Sequence, residues 1–179
     1  AGPEGEPRFT MLETIREYAG NKLQEGGELD STRDCHLDYF LRFAEDAEQG
    51  LLGNEQVLWM RRLDAEQNNL RTALEWSLSR DGRAEMGLRL VWALGRYWQS
   101  RAYLSEGQHW CEQLLSKTDQ NEPSIERVKA LRTLAYMIFE QGNFVEARSI
   151  PIVYADGAWI KNAAEEARMV DAMRRGDDK

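Results

Sequence analysis

Apolar residues recur at helical spacing along most of the chain. The clearest series is Leu70, Ala73, Leu74, Ser77 and Leu78, which would form one face of an amphipathic helix. Only four prolines interrupt the 179 residues, and no segment shows the alternating pattern of a half-buried sheet. The pattern therefore predicts an all-α fold.

Turn and capping residues divide this pattern into separate helices. A long helix is expected over residues 83–101, and Gly142 precedes a short helix that ends near residue 147. Ser124 is a typical N-cap residue, and residues 31–34 offer caps for the second helix. The pair Asn68-Asn69 either breaks the third helix or lies inside it.

Two stretches of the chain, residues 93–110 and 133–150, align without a gap at an offset of 40 residues. The matched pairs are Leu94 and Leu134, Gly95 and Ala135, Trp98 and Ile138, Ala102 and Gly142, Leu104 and Phe144, and Gly107 and Ala147. Large apolar residues recur where a helix pair fills its interior. Small residues recur at the turn and where two helices approach closely.

This repeat resembles the tetratricopeptide repeat, which has a Leu-Gly pair, an aromatic residue, a turn glycine and a second small residue in the same order. The resemblance implies antiparallel helix pairs stacked as a short right-handed superhelix. The 40-residue offset exceeds the family's usual length of about 34 residues, which implies a longer connection around residues 117–122. Pro151 falls where another apolar residue is needed. Residues 151–179 are therefore expected to be a divergent capping segment with a disordered tail.

Three strings in the first half of the chain follow one another in a characteristic order. They are RFTMLETIREYAGNKL from residue 8, RDCHLDYFLRFAEDAE from residue 33 and WMRRLDAEQNNLRTALEWSL from residue 59. They resemble the LuxR-type and SARP-type bacterial transcription regulators of the STAND class of ATPases, over roughly residues 8–150. The resemblance implies that residues 1–30 are the end of a winged-helix module and that residues 31–150 are the helical-repeat domain.

The same resemblance implies a function in signal transduction. In that family a helical arm senses a partner or effector and relays the event to an upstream ATPase domain of the same polypeptide. The phosphate-binding loop of that ATPase is absent from this sequence, so the chain is expected to be a segment of a longer regulator. The expected partner is a protein, a peptide or a small effector, and no cofactor is implied.

The composition limits the cellular compartment in which the protein is expected and the class of partner that it is expected to bind. No run of about 18 apolar residues could span a membrane, and the N-terminus lacks the pattern of a secretory signal. Two cysteines suggest a reducing compartment, the cytoplasm. A formal net charge of −8 makes nucleic acid an unfavoured partner for the whole surface, because phosphate binding needs clustered Lys and Arg.

The sequence contains few residues that could bind a metal ion or catalyse a reaction. Cys35-His36 and His109-x-Cys111 offer four possible zinc ligands, but neighbours on a helix point about 100° apart, so neither pair chelates well. Catalytic motifs for hydrolysis and nucleotide binding are missing. We expect a protein that is not an enzyme, with a Cys/His metalloprotein as a less favoured alternative.

A row of cationic and aromatic residues beside the buried face of two matched helices is the best candidate binding surface. We call it the basic–aromatic surface, and its members are Arg89, Trp92, Arg96, Gln99, Lys129, Arg132, Tyr136 and Phe139. It would suit an acidic or aromatic partner through ion pairs and cation–π contacts. Two alternatives stay open. Trp92 and Phe139 could instead pack on neighbouring helices, or the four cations could bind nucleic acid.

Overall fold

The computed structural model describes residues 11–79, 82–118 and 124–150. Within these ranges the chain is helical and contains no β-strand, so the all-α prediction is confirmed. The helices are α1 (Glu13–Glu25), α2 (Leu29–Gly50), α3 (Gln56–Leu78), α4 (Ala84–Arg101), α5 (Leu104–Ser116), α6 (Ile125–Glu140) and α7 (Phe144–Ser149). Among the described helices, none is long and apolar enough to cross a membrane.

Local chemistry explains several helix boundaries. Ser124 is the N-cap of α6, and its side chain accepts a hydrogen bond from the Arg127 amide at 3.1 Å, as predicted. Asn68 and Asn69 lie inside α3, which continues through them to Leu78. Asn69 Nδ2 donates to Glu66 Oε2 at 2.6 Å, so its amide is satisfied on the helix surface and does not compete with the backbone.

The predicted caps for α2 at residues 31–34 are wrong. The helix begins at Leu29, and the Ser31 hydroxyl donates to the Glu28 carbonyl at 2.9 Å from within the first turn. The cause is the tight end of α1, where Gly27 has φ of +70° and the Glu28 amide donates to the Leu23 carbonyl. That closed turn leads directly into α2, so no capping segment separates the two helices.

The helices pack in two sets. In the described part of the chain, α2, α4 and α6 contact one another in succession, while α3, α5 and α7 each pack against the helix before them. α3 and α5 also contact the inner helix that follows them, α4 and α6 respectively. Paired helices are therefore observed, and the right-handed tetratricopeptide-like superhelix and the domain boundaries stay predictions.

The clearest predicted series contributes to the core, since Leu70, Ala73, Leu74 and Ser77 of α3 are all buried. Leu94 and Leu134 are buried, with 1% and 8% of their surface exposed, and Trp76, Trp98 and Trp110 are also buried. Close helix contacts occur at small residues, as the repeat predicts. A Cβ atom added to Gly107 would lie 2.9 Å from Trp98 Cε3, closer than packed carbon atoms approach.

The repeat is also visible in backbone geometry. Ala102 and Gly142, which the alignment matches, both have positive φ, at 56° and 86°. The Tyr103 amide donates to the Trp98 carbonyl at 2.8 Å, and the equivalent Asn143 amide donates to Ile138 at 3.2 Å. α4 and α6 therefore end in the same left-handed turn, which satisfies their last carbonyl groups.

The first helix and the two residues before it are poorly covered in the described chain. Met11, Leu12, Ile15 and Tyr18 are each more than half exposed, and α1 contacts α2 alone among the described helices. The expected capping segment at residues 151–179 lies outside the described residues, as do residues 1–10.

The two matched turns make a direct test of the repeat. Ala102→Gly should raise the free energy of unfolding by about 0.5–1 kcal/mol, because an L side chain at positive φ is strained and glycine is not. Gly142→Ala should lower it by a similar amount, since space around Gly142 is open and backbone strain is the remaining effect. Urea unfolding followed by circular dichroism measures both changes, and a loss of stability in Ala102→Gly would contradict the shared turn.

Candidate functional site

The basic–aromatic surface lies along the packed pair α4 and α6. Arg89, Trp92, Arg96 and Gln99 occupy α4, and the other four members occupy α6. None of the eight residues is buried, while the residues beside them on both helices belong to the core. The structure therefore places the two rows on adjacent helices, at exposed or partly exposed positions.

Trp92 lies at the centre of this surface. The Lys129 Nζ is 5.5 Å from the centroid of the Trp92 ring, and the Arg132 guanidinium carbon is 5.3 Å from it. Both cations come from α6 and reach an indole on α4. Such contacts contribute about 0.5–1 kcal/mol each at exposed positions, so they hold the two helices together and also concentrate positive charge at this point.

Arg89 connects the same surface to α2. Its Nε and Nη2 donate to Glu45 Oε1 at 2.9 and 2.5 Å, and both side chains are partly exposed. An exposed ion pair of this kind adds at most about 1 kcal/mol to stability. Its larger effect here is on charge, because Glu45 neutralises the end of the row nearest α2.

At the opposite end of the surface, a hydrogen bond between two polar side chains connects the helices. Gln99 Nε2 donates to the Tyr136 hydroxyl, which joins α4 to α6. Partial burial, with the neighbouring Glu140 carboxylate, raises the pKa of Tyr136 to about 12. The phenol therefore stays protonated near neutral pH and provides a hydroxyl group, not a charge, at this end.

Phe139 differs from the other members. Its ring packs edge-on against Phe144 of α7, with centroids 5.0 Å apart. It is half-buried and serves the contact between α6 and α7. The alternative in which these aromatic residues pack on neighbouring helices therefore describes Phe139 well. Trp92 packs between α4 and α6 but remains partly exposed.

The Cys/His pairs do not converge on a site. Cys35 is exposed and Cys111 is fully buried, and His36 is half-buried while His109 is exposed. In the part of the chain that the structure describes, no group of three or more His, Cys, Asp or Glu side chains could hold a metal ion. His36 instead lies against the Phe40 ring, with centroids 4.6 Å apart.

The acidic neighbours of the surface were not predicted. Glu45 pairs with Arg89 at one end of the surface, and Glu140 lies beside Tyr136 at the other. Arg89 and Glu45 are 44 positions apart, so their pairing depends on how α2 and α4 are rotated against each other. Periodicity alone gives no such signal.

Comparison with known proteins finds similar mycobacterial proteins. The chain is 32% identical over 132 residues to proteins from Mycobacterium tuberculosis and Mycobacterium bovis, each named "Putative HTH-type transcriptional regulator". The aligned part is 74% of this chain and 15% of each relative, so the chain spans a small part of their length. Over the aligned residues the chain is therefore similar to a segment of proteins named as transcriptional regulators. No family model and no solved structure matches the chain.

The half-buried histidine gives a prediction for pH dependence. Burial lowers the pKa of His36 below its ordinary value of 6.5, although a hydrogen bond with Asn69 opposes the shift. As the pH falls below about 6.5, the unfolded chain binds a proton at this position before the folded chain does. The free energy of unfolding should therefore decrease over that range, and His36→Gln should remove this part of the decrease.

NMR titration of the His36 ring measures the shift directly. Asn69→Ala should lower its pKa further, because the opposing hydrogen bond is lost. A ring that titrates at or above 6.5 in the folded protein would contradict this environment.

Proposed function

We propose that this chain is an interaction arm of a bacterial transcriptional regulator. In this proposal the basic–aromatic surface binds a partner or an effector, and the stacked helices relay that event to an ATPase domain elsewhere in the same polypeptide. The regulator role is supported by the relatives named above. The arm, its tetratricopeptide-like character, its link to a STAND ATPase and its place in the cytoplasm are supported by the resemblance over residues 8–150.

One observation carries the binding part of the proposal. The two cations Lys129 and Arg132 on α6 lie over Trp92 of α4, on a face where both rows are accessible. A partner with carboxylate groups would contact both helices at once. Such a partner would favour one spacing of α4 and α6 over another, which is the differential interaction that a relay requires.

The proposal also assigns the chain no reaction of its own. Two titratable groups of the described residues that have a raised pKa serve packing: burial raises the pKa of Cys111, and burial with the Asp64 carboxylate raises that of Tyr97. Asp64 also accepts hydrogen bonds from Arg101, so it joins α3 to α4. At Cys111 and Tyr97, the raised pKa therefore accompanies a structural contact.

Nucleic-acid binding is the second candidate function. The names of the relatives favour it, since regulators of the HTH type act on DNA, and the surface carries four cations. Against it, Arg89 is already paired with Glu45, which leaves less positive charge for phosphates. Binding to DNA would weaken steeply as the salt concentration rises. Binding of a partner that contacts the Trp92 ring would depend less on the salt concentration.

The test places a photoreactive amino acid at position 96 and, separately, at position 61, which is exposed on α3 outside the surface. Irradiation in the producing cell should give a discrete adduct at position 96 and none at position 61. Arg132→Glu should abolish the adduct while helicity is retained, because the charge that faces the partner is reversed.

The matched control is Arg61→Glu with Lys117→Glu, which reverses two exposed charges outside the surface and should leave the adduct intact. Mass spectrometry and nuclease treatment identify the adduct as protein, small molecule or nucleic acid. An adduct that persists in Arg132→Glu, or equal labelling at positions 61 and 96, would refute the proposed surface. A nuclease-sensitive adduct would replace the proposal with the second candidate.

A further inference from the structure

One side of α4 is closed by the inner helix that follows it in the stack. This side carries Leu88, Val91 and Gly95, which recur at helical spacing. A Cβ atom added to Gly95 would lie 3.1 Å from Thr133 Cγ2 of α6. Leu88 and Val91 are 1% and 0% exposed. The succession α2, α4 and α6 thus buries this side of α4 completely at two of its three positions.

The matching side of α6 is also apolar but is more open. At the offset of 40 residues, its members are Val128, Leu131 and Ala135, which are all partly exposed. Ile125 lies one turn before Val128 and is 68% exposed. In the described part of the chain α6 is the last inner helix, and it contacts α4, α5 and α7. Its outward side therefore has the pattern of a helix contact at the open end of a stack, where a further element is needed to cover it.

Contacts between α4 and α6 give the register that a following inner helix would have. The contacting pairs are Gly95 with Thr133, Trp92 with Lys129 and with Arg132, and Gln99 with Tyr136. Residues that meet on these two helices are therefore 37 to 40 positions apart. The same separation, counted from the open side of α6, leads into the C-terminal segment, which lies outside the described residues.

The C-terminal segment has apolar residues at the positions that this register requires. Its stripe is Ile160, Ala163, Ala167, Val170 and Met173. Separations of 38 or 39 positions give the pairs Ile125 with Ala163, Val128 with Ala167, Leu131 with Val170, and Ala135 with Met173. The long Met173 side chain falls opposite the small Ala135, as close packing favours. Four apolar residues of α6 thus match four members of one stripe.

We propose that residues 160–173 form a helix that docks on the outward side of α6 in this register, as the next inner helix of the stack. Burial of apolar surface on both elements would drive the contact. Residues 141–159 would supply the connection, much as residues 102–124 connect α4 to α6. A second copy of the chain fits less well, because it would bring this side of α6 against its own equivalent and would leave the matched register unexplained. The expected capping segment thereby acquires a defined surface.

Disulfide trapping in the full chain tests the register. Val128→Cys with Ala167→Cys, combined with Cys35→Ser to remove the exposed thiol, should form an intramolecular disulfide under mild oxidation. The proposed contact brings the two Cβ atoms to about 4 Å, the separation that a disulfide needs. In the matched control, Val128→Cys with Glu165→Cys, the second thiol lies on the opposite side of the proposed helix. The control should crosslink at least tenfold more slowly.

A second pair of variants tests the apolar contact itself. Val170→Asp, added to the first cysteine pair, should slow the crosslink at least tenfold because it places a charge in the contact. Ala172→Asp introduces the same charge on the far side of the proposed helix and should leave the rate unchanged. Both positions lie outside α1–α7, so the described helices should persist, as circular dichroism would verify.

Three results would each overturn the proposal. They are equal crosslinking of positions 165 and 167, a crosslink that Val170→Asp does not slow, and a disulfide that joins two chains on a non-reducing gel. The last result would assign the outward side of α6 to a second copy. Because the four docking residues of α6 are not members of the basic–aromatic surface, any of these results would leave the proposed partner binding in place.

Discussion

The packing of α4 is the constraint on which the rest of the described structure depends. This helix contacts α2, α3, α5 and α6, and nine of its eighteen residues are buried. Contacts this close require small residues. A Cβ atom at Gly87 would lie 2.5 Å from Ser77 Oγ, and one at Gly95 would lie 3.1 Å from Thr133 Cγ2.

The same constraint determines where a binding surface can be. Because α4 is covered on most of its circumference, its accessible positions form one narrow row that contains Arg89, Trp92, Arg96 and Gln99. The matching row on α6 lies beside it, since the two helices repeat the same pattern at an offset of 40 residues. In the proposed function, a partner that binds there would contact both helices at once, so its binding would be coupled to the packing of α4 on α6.

Sequence reasoning worked where one helix determines the outcome. The periodic pattern predicted Leu94 and Leu134 as core residues, and the internal repeat predicted the shared turn at Ala102 and Gly142. Both follow from chemistry that is local to a helix or a turn. The position of Ser124 as a cap is another example of this kind.

Features that depend on the rotation of one helix against another were not predicted. The Arg89–Glu45 pair requires knowledge of which faces of α2 and α4 meet. The predicted start of α2 was wrong because the closed turn at Gly27 leads directly into the helix and leaves no separate capping segment. The expected winged-helix remnant and the capping segment remain predictions, since an alignment of 132 residues to 15% of each relative tests neither of them.

Amide hydrogen exchange tests the central role of α4 most directly. If four helices depend on it, the amides between Leu88 and Trp98 should exchange only through global unfolding and should be the most protected in the chain. Amides of α1, which packs on α2 alone among the described helices, should exchange orders of magnitude faster. Protection of α4 that is equal to or lower than that of α1 would contradict this account of the fold.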